Sequence, residues 1–155
     1  MCSRLLFLSR VAGYVRAAFG ATVFRTFFSK KNVPLTGAPA VRRLKTYSAQ
    51  SGYVYQYYFE GQRPFHLADD QGTEFVFTVS ADRKSWHLVS VLVSAAALTA
   101  WEQKNARELS SAERYAVCKM ALFQAFDERT SPEQIKAEVR VRTADVDGII
   151  ESLDL

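Results

Sequence analysis

The amino-acid sequence predicts an α+β domain in which an antiparallel sheet of about four strands carries helices mainly on one face. Residues 73–80 alternate apolar and polar side chains, which is the period of a half-buried strand. Ser110 stands three residues before Glu113 and ahead of an apolar run, the spacing of a capping box at a helix start. Short links between strands favour antiparallel neighbours. The elements are predicted in the order β-β-β-α-α-β-α.

Three strands precede the first helix in this prediction. Residues 45–59 form the first strand, which an interruption around residues 48–52 would divide. Residues 62–72 contain proline, glycine and three acidic or imidazole side chains, so a loop is expected there. Residues 73–80 and 85–93 form the next two strands, joined by a polar turn of hairpin length.

The second half of the domain is predicted to be mainly helical. Ser94 is expected to cap a helix that ends near Arg107, and Ser110 to cap one that ends near Glu128. Ser131 and Pro132 carry a helix-start signal. Residues 138–142 alternate charged side chains with valine, which suits an edge strand, and residues 144–153 form the last helix.

Charge divides the chain into two regions. Before Glu60 there are nine Lys or Arg and no Asp or Glu, whereas from Glu60 onward there are 11 basic and 16 acidic residues, hence −5. The basic pI therefore describes the N-terminal region, and a nucleic-acid partner is not expected for the folded part. We assign residues 1–44 to a basic leader and linker, and residues 45–155 to a single domain.

The leader is interpreted in three ways. Its composition, rich in Arg and free of acid, is typical of a mitochondrial or plastid transit peptide, which would place the protein in the mitochondrial matrix. It could equally be an extension ahead of the true domain, which leaves a cytoplasmic location. A third interpretation is contact with a membrane surface. No apolar run is long enough to predict a transmembrane helix.

A tyrosine-rich stretch between Gly52 and Gly61 offers either a core or a binding platform. On a strand, one face would carry an aromatic row from Tyr53 to Phe59. Single-stranded nucleic acid binds such rows, but clustered cations are missing here, so the floor of a core is favoured. The opposite face carries Tyr58 and Gln56, where an exposed aromatic would mark a partner surface.

Three side chains are candidates for chemistry. His66 near Asp69 could act as a general base in a small enzyme or ligand-binding domain, although loop charges of this kind are usually only solvated. Lys119 lies in an apolar helical sector, where desolvation could keep it partly neutral, or its stem could pack while the ammonium reaches solvent. Cys118 in the same sector is expected to be an unreactive core thiol.

Val117 and Met120 lie towards the polar side of the same helix and indicate a second packing surface, against the preceding helix or another subunit. Phosphate loops, paired-cysteine metal motifs and hydrolase or kinase signatures are absent, so no cofactor and no metal site is predicted. The favoured hypothesis is a small non-catalytic domain that acts through protein contact, by self-association or as an accessory subunit.

Overall fold

The computed structural model describes residues 33–155, and the basic segment interpreted above as a leader lies, up to residue 32, outside them. The described chain is an α+β fold, as expected. Its elements are five strands, three α-helices and one short 3-10 helix: β1 Lys45–Ser48, β2 Val54–Leu67, β3 Asp70–Ser80, β4 His87–Ser94, α1 Ala95–Asn105, α2 Ser111–Glu128, the 3-10 helix Pro132–Lys136, β5 Val139–Val141 and α3 Thr143–Ser152.

The five strands form one mixed sheet in the order β1-β2-β3-β4-β5, curled into a half-barrel. Strands β1 to β4 pair antiparallel, whereas β5 runs parallel to β4. The expectation of four antiparallel strands with helices on one face is therefore only approximately right. β5 is parallel because α1, α2 and the 3-10 helix carry the chain back across the sheet before it pairs, and such a crossover returns a strand in the same direction.

The prediction of a loop at residues 62–72 is wrong. These residues continue β2 and begin β3, with Leu67 opposite Asp70 and only Ala68 and Asp69 between them. Pro64 is tolerated because it is exposed on a strand whose outer edge carries few backbone partners in the described chain. The turn lacks the Asn-Gly or Asp-Gly signature, so the local sequence gives no hairpin signal.

A bulge at Glu60 and Gly61 lets the incoming chain approach β2. The register of β2 on β3 shifts between Phe59 and Gly61. Gly61 has a φ of 142°, and a Cβ there would lie 2.8 Å from the carbonyl oxygen of Thr36. Thr36 and Gln62 exchange backbone hydrogen bonds of 2.8 Å, so the segment before β1 runs along the β2 edge.

The main core lies between the helices and the first face of the sheet. Tyr55 and Tyr57 are buried on this face, which confirms the prediction that they form the floor of the core. Tyr55 stacks on Phe126 of α2 with ring centroids 4.3 Å apart. At the ends of the predicted row, Phe59 is half-buried and Tyr53 is exposed. Buried side chains from α1, α2 and α3 all join this cluster.

Helix α2 begins where the capping box predicts. The Ser110 hydroxyl accepts from the Glu113 backbone N–H at 3.3 Å, and the Glu113 carboxylate accepts from the Ser110 backbone N–H at 2.7 Å. Ser94 does occupy the N-cap position of α1, but its hydroxyl donates to Asp70 instead of capping the helix. Sequence spacing alone does not show whether a serine hydroxyl caps the helix or bonds a distant side chain.

Candidate partner surface and ligand cleft

An apolar patch of four side chains lies on the second face of the sheet, opposite the main core. We call the set of Val54, Tyr58, Trp86 and Leu88 the aromatic patch. Tyr58 and Leu88 flank Thr78 on adjacent strands, so strand pairing places them on the same face. The Trp86 ring lies 5.9 Å from the Tyr58 ring. Leu88 is 64% exposed, and Trp86 and Val54 are each 41% exposed.

A cation and a carboxylate border the aromatic patch. The Arg42 guanidinium stands over the Tyr58 ring at 5.7 Å and forms an ion pair of 2.8 Å with Glu60. The Thr78 hydroxyl donates to the same carboxylate at 2.6 Å. The border of the patch therefore carries both signs of charge, held in place by contacts within the described chain.

Sequence reasoning found part of this surface. Tyr58 and Gln56 were expected on the second face, and both lie there half-buried, with Gln56 paired to Thr46 and Ser80. Trp86 and Leu88 were not singled out. The available signal was that the strand predicted at residues 85–93 carries apolar side chains on both faces.

A second feature is an open cleft of about 640 Å³ between the segment before β1, the edge of β2 and the start of α2. Aromatic rings of Tyr57, Phe59 and Tyr115 line it, and Phe59 meets Tyr115 edge-on with centroids 5.1 Å apart. Arg43 and Lys45 line the same cleft, and none of its lining residues is acidic.

The two tyrosines of the cleft stay protonated at neutral pH. Burial raises the pKa of Tyr57 to about 12, and the neighbouring Tyr115 contributes to the rise. Burial also raises the pKa of Tyr115, with Cys118 as a further cause. Both hydroxyl groups are therefore hydrogen-bond donors as well as acceptors under ordinary conditions.

His66 and Asp69 line one shallow depression between the β2–β3 hairpin and α1. Both side chains are exposed, and the described chain gives no hydrogen bond or ion pair between them. Asp70, beside them, accepts a hydrogen bond of 2.8 Å from Ser94. A catalytic role for His66 and Asp69 stays a prediction, because nothing in this geometry orients either group.

Lys119 and Cys118 follow the physical expectations for their sector of α2. The Lys119 ammonium lies 5.4 Å from the centroid of the Phe123 ring, and desolvation followed by the charge of Lys45 lowers its pKa. Cys118 is buried, and burial raises the pKa of its thiol well above the usual value. A protonated, inaccessible thiol is a poor nucleophile. A nucleophilic role for Lys119 stays a prediction.

Val117 and Met120, on the more polar side of α2, were predicted to form a second packing surface. Val117 is fully buried in the main core, and Met120 packs half-buried against it. The reason is that α2 contacts β4, β5 and α3 as well as the aromatic floor, so several elements of the domain surround it. The packing surface at Val117 therefore lies within the domain, and contact of the half-buried Met120 with another subunit stays a prediction.

Within residues 33–155, no cluster of three or more His, Cys, Asp or Glu side chains could hold a metal ion. None of the helices in that range is both long and apolar enough to cross a membrane. Comparison with known protein families, with curated protein sequences and with solved structures finds no match to this chain.

Proposed function

We propose that this protein is a non-catalytic domain that self-associates through the aromatic patch on the second sheet face. The observation that carries the proposal is the exposure of Leu88 and Trp86 beside Tyr58 on a regular sheet. Burying an exposed apolar side chain against a partner surface is favourable by about 25 cal/mol for each Å² of apolar area removed from water. Exposed apolar side chains grouped on one face are a feature of contact sites.

The composition of the patch supports a protein partner. Trp, Tyr and Arg dominate the binding energy of protein interfaces. Here the Tyr58 ring contacts Trp86 on one side and the Arg42 guanidinium on another. A standard interface buries about 800 Å² on each partner, so the patch would form its centre. Exposed or half-buried polar residues on the same face, such as Gln56 and Thr46, would form the rim.

The charges around the patch support a second copy of this chain as the partner. A two-fold interface brings the same patch together from both copies, so a contact from one residue to a second in the other copy occurs twice. Arg42 and Glu60 supply one charge of each sign at the border. A two-fold axis near the patch would bring the Arg42 of one copy towards the Glu60 of the other.

Light scattering on the full chain tests the proposal, over a concentration range of about 1 µM to 1 mM that covers reversible dimers. We expect the mass to rise towards that of a dimer. Leu88→Glu and Trp86→Ala should shift this rise to at least about tenfold higher concentration, because each removes apolar contact from the centre. Leu155→Glu, at an exposed apolar side chain after α3, is the matched control and should leave the rise unchanged.

A wild-type mass that stays monomeric over the whole range would refute self-association. So would a dimer whose concentration dependence is the same in wild type, Leu88→Glu and Trp86→Ala. Circular dichroism of each variant verifies that the fold is kept, since Leu88 and Trp86 are exposed and their replacement costs little core packing.

A further inference from the structure

The cleft at the start of α2 differs from the aromatic patch in position, shape and charge. The patch lies on the second sheet face, whereas Tyr57 and Phe59 lie on the first face and alternate with Tyr58 along the same strand. A volume of about 640 Å³ is within the range of small-molecule sites. An argument about what the cleft holds is therefore independent of self-association.

The lining of the cleft combines an apolar floor with positive charge that pairs with no carboxylate of the described residues. Seven Lys or Arg side chains of the described chain form ion pairs with carboxylates. Within residues 33–155, Arg43 and Lys45 form none, although both line the cleft. Desolvation by burial, followed by the like charge of Lys45, lowers the pKa of Lys119. An anion bound in the cleft beside Arg43 and Lys45 offsets the positive charge of both side chains.

Uncharged hydrogen-bond donors near Arg43 and Lys45 could orient a bound anion. The Tyr115 hydroxyl stays protonated, and the side-chain amide of Gln62 also lines the cleft, so both can donate to an oxygen anion. Phe59 and Tyr115 meet edge-on and leave ring surface towards the open volume, which suits the flat face of an aromatic ligand.

We propose that this cleft binds a small aromatic carboxylate, with Arg43 and Lys45 pairing the carboxylate and Tyr57, Phe59 and Tyr115 contacting the ring. The apolar floor excludes a bare inorganic anion as the best ligand, because such an ion would leave the ring surfaces unused. The positive charges of Arg43 and Lys45 favour an anionic aromatic molecule over its uncharged counterpart. Charge and apolar body together define the ligand class.

Adjacent arginines supply a matched pair of variants. Arg43 lines the cleft, whereas Arg42 points to the other side of the same segment, where it pairs with Glu60 and stands over Tyr58. Arg43→Met and Arg42→Met remove the same charge from neighbouring positions and keep a side chain of similar length. Lys45→Met is the second variant within the cleft.

The test is calorimetric titration of the full chain with 2-naphthoate and with its uncharged analogue 2-naphthamide. We expect naphthoate to bind at least about tenfold more tightly, since charge-assisted bonds to two cations exceed what the amide can form. Arg43→Met and Lys45→Met should each weaken naphthoate about five- to tenfold and leave naphthamide unchanged. Arg42→Met should leave both affinities unchanged. Raising the salt concentration should weaken naphthoate selectively.

Three results would overturn the proposal: no binding of naphthoate at millimolar concentration, equal affinity for the two compounds, or equal losses in Arg42→Met and Arg43→Met. Nuclear magnetic resonance shifts of the Tyr57 and Tyr115 rings on adding naphthoate locate the bound ligand, and unchanged shifts there would count against this cleft. Because dimerisation is measured separately by mass, failure of one proposal leaves the other standing.

Discussion

Arg129 is expected to fix the return of the chain to the sheet, and its replacement tests this directly. It follows α2, and one guanidinium nitrogen, Nη1, donates to the carbonyl oxygens of Gln134, Ile135 and Ala137 at 2.9, 3.3 and 2.9 Å. The other, Nη2, approaches the Glu138 carbonyl at 3.4 Å. These carbonyls belong to the 3-10 helix and to the approach to β5, so one side chain holds the whole connection.

The expected cost of Arg129→Met follows from these contacts. Nη1 has two hydrogens shared among three carbonyls, which amounts to about two full hydrogen bonds from a charged donor. At about 1.5 kcal/mol each, the low end for charged donors because two of the acceptors are solvent-exposed, the loss is about 3 kcal/mol. For a chain of this size that lowers Tm by about 6–12 °C.

Urea unfolding followed by circular dichroism measures the free energy of unfolding, and Arg140→Met is the matched control. Arg140 pairs with Glu138 at 2.8 Å on the exposed side of β5, and such a surface pair contributes at most about 1 kcal/mol. Hydrogen exchange should show faster opening at Val139–Val141 in Arg129→Met than in Arg140→Met. Arg129→Lys tests the geometry, since one ammonium cannot donate to all of these carbonyls.

A loss below about 0.5 kcal/mol in Arg129→Met, or equal losses in Arg129→Met and Arg140→Met, would refute this reasoning. So would faster exchange spread evenly over the domain, because the contacts of Arg129 are confined to one connection.

Two further predictions concern the cap of α2 and the alkaline limit of stability. Ser110→Ala removes the hydroxyl acceptor of the capping box and should lower the free energy of unfolding in urea by about 1 kcal/mol. Ser111→Ala, at the neighbouring exposed serine, should leave it nearly unchanged. Equal losses in the two variants would contradict the assigned cap. Burial and the hydrogen bond of 2.8 Å to Asp127 raise the pKa of Tyr47 to about 12 from its usual value of 10.0, so its contribution to stability is complete below pH 10 and is lost as the pH rises towards 12. Tyr47→Phe should be less stable than wild type at pH 7 but should lose less stability between pH 10 and 12, as measured by urea unfolding at each pH. Tyr53→Phe, at an exposed tyrosine, is the control. Parallel losses in wild type and Tyr47→Phe would contradict this assignment.

Local patterns in the sequence determined much of this fold. The alternation along residues 73–80 identified β3, and the spacing of Ser110 and Glu113 located the start of α2, because both signals depend on side chains a few residues apart. The burial of Tyr55 and Tyr57 followed from period-two alternation together with aromatic side chains on the helices to cover them.

Tertiary structure decided the features that depend on distant partners. Residues 62–72 look like a loop, yet pairing with β3 makes them strand, and the crossover through two helices makes β5 parallel. Val117 is buried because β4, β5 and α3 surround α2, which its helical angle does not reveal. The aromatic patch joins β2 to the start of β4, and the cleft joins the segment before β1 to α2. Sequence periodicity predicts on which face of an element a side chain lies, whereas only the packing of the whole chain determines which faces are exposed.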